Sequence, residues 1–372
     1  MKTTIGNLRA AMKQAMKAVN KGICAIEIKH NSVYVKASSM EGAVIIDVPT
    51  KGSVENCSAS LSQKQILAIF NGVSDSTDCT FKKVDSGIVI SFAGARIRLL
   101  HPYDGEADSL FGTVPLLKQK LFSTQGSKLS KLLDGPLNYA AKNDVRVFLM
   151  GVRFESDEGV LRLVGTDGIR LCTVKTDIAA HPSANFILPI STAEAIHTVF
   201  GESEFSVEMI GQGDKMRLLF STDRTKWLVT LIGGTYPTWR KAMPGKNRYA
   251  QAVLDRDELV RAVNRVTAAS DSAYAALVFS KDGVTVQSVD GEQREKFSVE
   301  STLVASEVTF PFNGKMLINA VSCVETGKVD IYIDDADVLK GKVVLHSDPL
   351  DTDKVMKDWI GFMMPVRVDV TK

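Results

Sequence analysis

The stretch VFLMGVRFESDEGVLRLVGTDGIRL, Val147 to Leu171, decides how the rest of the chain is read. It predicts a strand from Val147 to Phe154, an acidic turn at Ser156 to Gly159 and a second strand from Val160 to Val164. A tight Thr-Asp-Gly turn then sends Ile169, Arg170 and Leu171 back toward the first strand. Nothing in this hairpin serves as nucleophile or general base. It gathers the apolar Leu149 and Leu171 beside a turn threonine, Thr166, and a cation, Arg170, which is the composition of a peptide-binding pocket.

Working outward, the same outline occurs twice more. A helix pattern, a strand, a turn and a second strand run through Asn7 to Gly42, Ser127 to Gly168 and Asp257 to Gly291. A second apolar helix pattern follows each time, in LSQKQILAIF from Leu61, LPISTAEAIHTVF from Leu188 and FPFNGKMLINAV from Phe310. Matching positions lie roughly 125 residues apart, far beyond a solenoid period, so each unit is expected to be a whole domain. The expected architecture is α+β, with three repeated domains at 1–115, 116–245 and 246–372.

Composition agrees. At 372 residues the chain is long for one core, and 45% hydrophobic with 24% charged residues is a soluble globular balance. No apolar run approaches the ~20 residues of a membrane span, so no membrane partner is expected. The cysteines (Cys24, Cys57, Cys79, Cys172 and Cys323) are odd in number and lack C-x-x-C spacing, which suits buried thiols in a reducing cytoplasm. No acidic residue precedes Glu27, a trait shared with transit peptides, but those residues are needed as the first helix of the first repeat.

That helix, Thr4 to Asn20, places Ile5, Leu8, Met12, Ala15 and Val19 on one face and Arg9, Lys13, Lys17 and Lys21 on another. The later repeats echo the cations with Lys128, Lys131 and Lys142, and with Arg256, Arg261 and Arg265. A single basic stripe is ordinarily a solvated face. Its recurrence on equivalent helices points to one positive surface and to a nucleic-acid backbone as its ligand. A net charge of only +2 limits the strength of such contacts, so retention on double-stranded DNA needs something further. Encirclement supplies it, because a closed ring slides on weak phosphate contacts yet cannot leave without opening.

Between Phe81 and Leu100 the chain alternates as a hairpin, with Ile97, Leu99 and Leu100 in a terminal strand. That strand is either a subunit interface or an intradomain edge protected by Arg96 and Arg98. Residues His101 to Gly112 form a linker. In the next repeat, Pro136 is expected to kink or split a helix spanning Lys128 to Lys142. The GQG at 211–213 suits a hairpin turn better than a phosphate loop. In the linker GGTYPTWRKAMPG, Tyr236, Trp239 and Met243 either pack between domains or, with Pro237 and Lys241, rim a groove. The scattered histidines, the acidic turns at Asp334, Asp335 and Asp337 and at Asp348, Asp351 and Asp353, and the Gly-Lys pairs complete no metal, nucleophile or Walker motif. Neither catalysis nor a cofactor is expected.

NDVRVFLMGV, GVLRLVGTDGIRL, FILPISTAEAI, YPTWRKAMP, FPFNGKMLINAV and the C-terminal MMPVRV together resemble the bacterial sliding clamp, the β subunit of DNA polymerase III. The likeness spans the chain in order and is weakest in the first repeat. It implies a non-catalytic processivity factor of DNA replication: a head-to-tail homodimer closing into a ring, with sheets outside and helices lining the hole. Implied partners are double-stranded DNA, a replicative polymerase, the clamp loader and repair proteins carrying clamp-binding peptides. The resemblance also implies a peptide-binding pocket between the second and third repeats. Its residues here are Leu149, Thr166, Gly168, Ile169, Arg170, Leu171, Pro237, Lys241, Ala242, Asn313, Met316, Phe362, Met363, Met364, Pro365, Val366, Arg367 and Val368. Ile97 and Leu99 are expected to meet Ala268 and Ala269 of the second copy.

This chain departs from that pattern. Ile169 stands where the family usually has histidine and Lys241 where it has a second arginine, implying a drier pocket, while Asp369 to Lys372 extend past the usual end. The small Ala268 and Ala269 imply a looser dimer. Two other functions compete: a DNA-binding or scaffold protein of this fold that forms no ring, and a metal-dependent nuclease using the acidic turns.

Overall fold

The computed structural model describes residues 1–20, 22–85, 87–112, 118–211, 216–245, 247–297, 302–304, 307–324, 326–335, 337, 340–347 and 358–366. The helices follow from apolar spacing and caps. Helix α1 (Ile5–Ala18) buries Ile5, Leu8, Ala11, Met12 and Ala15, and the Thr4 hydroxyl accepts the Asn7 amide at its start. Helices α2 (Gln63–Ile69), α3 (Glu106–Gly112), α4 (Gly126–Tyr139) and α5 (Ile190–Phe200) follow. Helix α6 (Arg256–Ala268) is capped by Asp255 and α7 (Gly314–Ser322) by Asn313.

The chain forms two compact units. The first comprises Met1–Ser130, Ala179–His181 and Ser191–Leu231. Its larger sheet has eight strands in the order Cys57–Leu61, Ile23–Lys29, Ser32–Ser39, Gly42–Val48, Thr225–Thr230, Arg217–Ser221, Glu204–Ile210 and Gln119–Gln125. Its smaller sheet has the order Lys2–Thr4, Asp78–Val84, Gly87–Phe92 and Ala95–Leu99.

The second unit comprises Lys131–Ile178, Pro182–Ile190 and Ile232–Lys372. Its nine-stranded sheet runs Asn185–Pro189, Gly151–Asp157, Val160–Thr166, Arg170–Ala179, Asp358–Met363, Val343–Ser347, Lys328–Ile333, Ala250–Asp255 and Thr302–Val304. A four-stranded sheet adds Arg294–Phe297, Gly283–Ser288, Tyr274–Ser280 and Val308–Asn313.

One order of elements occurs three times: strand, helix, a group of strands, helix, three strands. Each long sheet forms where the strand after a tight turn-back of one round meets the last strand of the next. Gly42–Val48 pairs antiparallel with Thr225–Thr230, Val44 opposite Trp227. Arg170–Ala179 pairs antiparallel with Asp358–Met363, Leu171 opposite Phe362. A linker covers each join. Over the first lies α3, tied by Lys36 to Asp108 at 2.5 Å and by Ser38 to Glu106 at 2.9 Å, with Leu110 and Phe111 packed on Ile210, Leu219 and Leu228. Over the second lie Tyr236 and Trp239, packed with Leu171, Tyr332, Val344 and Phe362.

Several expectations need correction. The first strand of the central hairpin begins at Gly151, not Val147, because Val147–Leu149 forms a 3₁₀ turn. Pro136 does not split α4. One ladder bond is forgone, but the fully buried Leu129, Leu132, Leu133 and Tyr139 hold the helix through it. That helix ends at Tyr139, so Lys142 lies beyond it. Phe310 and Phe312 belong to the strand Val308–Asn313, with the helix starting only at Gly314. Cys57 is half-buried, while the other four thiols are buried. The turn residues Gln212 and Gly213 and the acidic residues Asp348, Asp351 and Asp353 lie outside the described residues.

Close packing at the hairpin gives a test. A Cβ on Gly165 would meet the Pro136 carbonyl oxygen at 1.8 Å, leaving α4 and the strand no room. Gly165→Ala is expected to cost about 1–3 kcal/mol, read as a lower denaturant midpoint.

Candidate functional site

The turn at Thr166 to Arg170 is fixed by its own side chains. The Thr166 hydroxyl donates to the Arg170 carbonyl at 2.6 Å and accepts the Gly168 amide at 3.0 Å. The Asp167 carboxylate accepts the amides of Ile169 (2.9 Å) and Arg170 (2.8 Å), and the Arg170 Nε at 2.9 Å. Gly168 takes φ +93°, a conformation that favours glycine. The Arg170 guanidinium points inward: it donates to the Asn138 carbonyl at 3.3 Å and lies 5.3 Å from the Tyr139 ring. At 8% exposure, Arg170 acts by holding the turn against the end of α4.

Around this turn the second unit assembles much of the expected set. The Met364 amide donates to the Ile169 carbonyl and the Val366 amide to the Pro311 carbonyl, both at 3.1 Å. The C-terminal segment thereby runs from the turn to the strand leading into Asn313, which caps the first turn of α7 by accepting the Met316 amide. Leu171 and Phe362 share one apolar cluster with Val164, Ile187, Tyr236, Trp239, Tyr332 and Val344. Met363 is buried opposite Arg170, and Met364, Pro365 and Val366 are half-buried. Pro237, Lys241 and Ala242 stand exposed on the linker whose Tyr236 and Trp239 enter the cluster. Leu149 is 1% exposed and outside that cluster, where its neighbour Phe148 packs instead. Arg367 and Val368, with Asp369 to Lys372, lie outside the described residues.

Linker anchoring is electrostatic as well as apolar. Tyr236 donates to the Val164 carbonyl at 3.1 Å. Arg240 lies over the Trp239 ring and ion-pairs with Glu155 at 2.6 Å and Asp157 at 3.2 Å. Burial raises the Asp157 carboxyl pKa, but the hydrogen bond and charge of Arg162, with Arg240 and Lys175, outweigh it and hold the group below the usual range.

Sequence reasoning missed Arg146. Its guanidinium bonds Asp144 (2.8 Å) and the Asp167 carbonyl (3.3 Å), tying the 3₁₀ turn to the turn at Thr166 to Arg170 and leaving Val147 and Ile169 about half exposed. The Asp-x-Arg spacing was the available signal. Asp167 was likewise read only as a turn former, although its side chain organises the turn.

The expected DNA-facing cations fall into two groups. Arg9 is engaged by Asp75 and by the carbonyls of Phe70 and Val73, Arg256 by Asp257 and the Val324 carbonyl, and Arg265 by Glu295. Lys13, Lys17 and Lys131 are exposed, as are Lys142 and Arg261, whereas Lys128 is half-buried. Lys21 lies outside the described residues. Of the expected dimer contacts, Leu99 is 5% exposed within its own chain, Ile97 is half-buried, and Ala268 and Ala269 are exposed.

Among the described residues no group of three or more His, Cys, Asp and Glu side chains is placed to hold a metal ion. Asp334 has a structural engagement, accepting the amides of Gly245 (2.9 Å) and Lys342 (2.7 Å). No helix among the described residues is long and apolar enough to cross a membrane.

Comparison with known proteins adds a context for this geometry. Residues 125–238 match the family model for the DNA polymerase III beta subunit, central domain. The beta sliding clamp of Pseudomonas aeruginosa is 26% identical over 220 residues, 58% of this chain and 59% of that protein. That of Borreliella burgdorferi is 27% identical over 202 residues, 52% of this chain and 51% of that protein. The chain thus spans just over half the length of these curated relatives, although the Haemophilus influenzae clamp aligns at 21% identity over 84% of each chain. Among solved structures, the Pseudomonas aeruginosa sliding clamp superposes with a TM-score of 0.83 at 18% identity. The Thermotoga maritima beta subunit does so with 0.82 at 20%, each match covering 99% of both chains. The fold is therefore the α+β clamp fold.

Asp167→Ala removes three hydrogen bonds from one turn and is expected to cost about 1–3 kcal/mol. Hydrogen exchange should report it as faster exchange at Ile169 and Arg170. The buried thiols give a second check, since burial pushes Cys24 up to about 12 and Cys323 up to about 11. In the folded protein at pH 8, Cys57 should be the first of the five to be alkylated, followed by mass spectrometry of the peptides.

Proposed function

We propose that this chain, a divergent relative of the bacterial DNA polymerase III β subunits, is a DNA sliding clamp. In this reading it is a non-catalytic processivity factor of three domains, 1–115, 116–245 and 246–372. Two copies close head to tail around duplex DNA, helices inward and sheets outward. The site at Thr166 to Leu171 tethers a replicative polymerase and, in turn, the clamp loader and repair proteins.

The observation that carries the reading is the strand join made twice within the chain. Applied a third time, the same rule requires an antiparallel partner for Ala95–Leu99 and for Arg294–Phe297, which are edge strands of their sheets. A second copy offers the missing edge in each case, and two such joins make a closed assembly. Exposed Lys13, Lys17 and Lys131 on α1 and α4 suit weak, sequence-independent phosphate contacts. The pocket suits exchange: one or two apolar anchors worth ~1.5–3 kcal/mol each, less ordering costs, give contacts that partners can share.

Sedimentation of the protein with nicked circular DNA, repeated after linearisation, tests the ring. A dimer retained on circles after loading and lost from linear ends is expected; a monomer bound equally to both forms favours a non-ring scaffold instead. Truncation from Met364 onward should abolish peptide binding while leaving DNA retention intact. Reversing the charges of Lys13 and Lys17 should weaken loading and its salt dependence.

A further inference from the structure

The two free edges differ from both internal joins on the outer face. At the internal joins that face is covered, by Leu110 and Phe111 in one case and by Tyr236 and Trp239 in the other, and cations beside the cover are matched by carboxylates, Lys36 by Glu27 and Asp108 and Arg240 by Glu155 and Asp157. On Ala95–Leu99, Ile97 and Leu99 lie opposite Ile90 and Ile88, so alternation leaves Arg96 and Arg98 exposed on the other face. On Arg294–Phe297, Phe297 is buried opposite Val284 and Glu295 is held by Arg265 of α6. Arg294 and Lys296 are the exposed pair there.

Neither strand presents a carboxylate on that face. The adjoining strands add only Val89 and Ser91 beside one pair and Thr285 and Gln287 beside the other. No ion pair engages any of the four cations among the described residues. Antiparallel pairing of the two edges puts all four on one side of the joined sheet, at cross-strand spacing, where like charges oppose each other.

We propose that the seam between two copies binds a multivalent oxyanion of the phosphate type on its outer face, between Arg96 and Arg98 of one copy and Arg294 and Lys296 of the other. The proposal rests on the head-to-tail reading. Guanidinium forks suit such an anion, and a site completed only on closure links anion uptake to dimerisation. The ring is then tighter in phosphate than in chloride.

The test is sedimentation equilibrium of the full chain at constant ionic strength, with sodium phosphate exchanged for sodium chloride. A several-fold fall in the dimer Kd is expected as phosphate replaces chloride. The variant R96E/R98E, which places carboxylates opposite the cations, should dimerise more tightly in chloride and lose the phosphate effect. Adding R294E/K296E should weaken the dimer again without restoring that effect. A wild-type dimer with the same Kd in both salts overturns the anion site and leaves the head-to-tail reading standing. A chain that stays monomeric in both salts, as wild type and as R96E/R98E, overturns the head-to-tail reading and this site with it.

Discussion

An unpaired strand edge is what this architecture is built to resolve. Each half of a round offers four strands, and four strands leave two edges whose backbone groups need partners. Twice the chain answers by pairing one round with the next, Gly42–Val48 with Thr225–Thr230 and Arg170–Ala179 with Asp358–Met363. Other features follow from this pairing. The linkers carry apolar residues that pack on the joins beneath them, and the glycine at the first turn-back allows one backbone to approach another. A Cβ on Gly42 would lie 2.0 Å from the Leu228 carbonyl oxygen across the first join.

The candidate site is a by-product of the second join. Where Arg170–Ala179 meets Asp358–Met363, the turn before one strand and the tail after the other are brought together, and the Met364 amide bonds to the Ile169 carbonyl. The first join makes the equivalent bond, from the Thr230 amide to the Glu41 carbonyl. What distinguishes the second is chemistry: an aspartate that organises the turn, an inward arginine that braces it on α4, and an aromatic floor of Tyr236 and Trp239. The backbone plan is shared, and side chains single out one of the two joins as the candidate site.

Much of this was legible in the sequence. Thr166, Asp167 and Gly168 announce their turn because Thr and Asp side chains mimic backbone acceptors and glycine tolerates positive φ. The repeated helix and strand patterns survive because burial fixes their period. Other features were not legible, because they depend on neighbours distant in sequence. Val147 and Phe148 look like strand residues by propensity, yet Arg146 pins them in a 3₁₀ turn through Asp144 and Asp167. Arg9, Arg256 and Arg265 keep the spacing of a basic stripe while facing nearby acids and carbonyls instead. Spacing along a helix shows which residues share a face, but not what that face meets.

The pairing of distant strands also sets the timing of synthesis. Gly42–Val48 must wait for Thr225–Thr230, made roughly 180 residues later, and Arg170–Ala179 waits about as long for Asp358–Met363. The middle third of the chain supplies strands to both compact units, so neither sheet can be completed from contiguous sequence. A nascent chain therefore carries an open, strand-ready edge through much of its translation, and Lys36, paired with Glu27 of its own hairpin, sits beside that edge and gains its second carboxylate only when Asp108 of α3 arrives. A slow ribosome or a missing chaperone would expose that edge for longer.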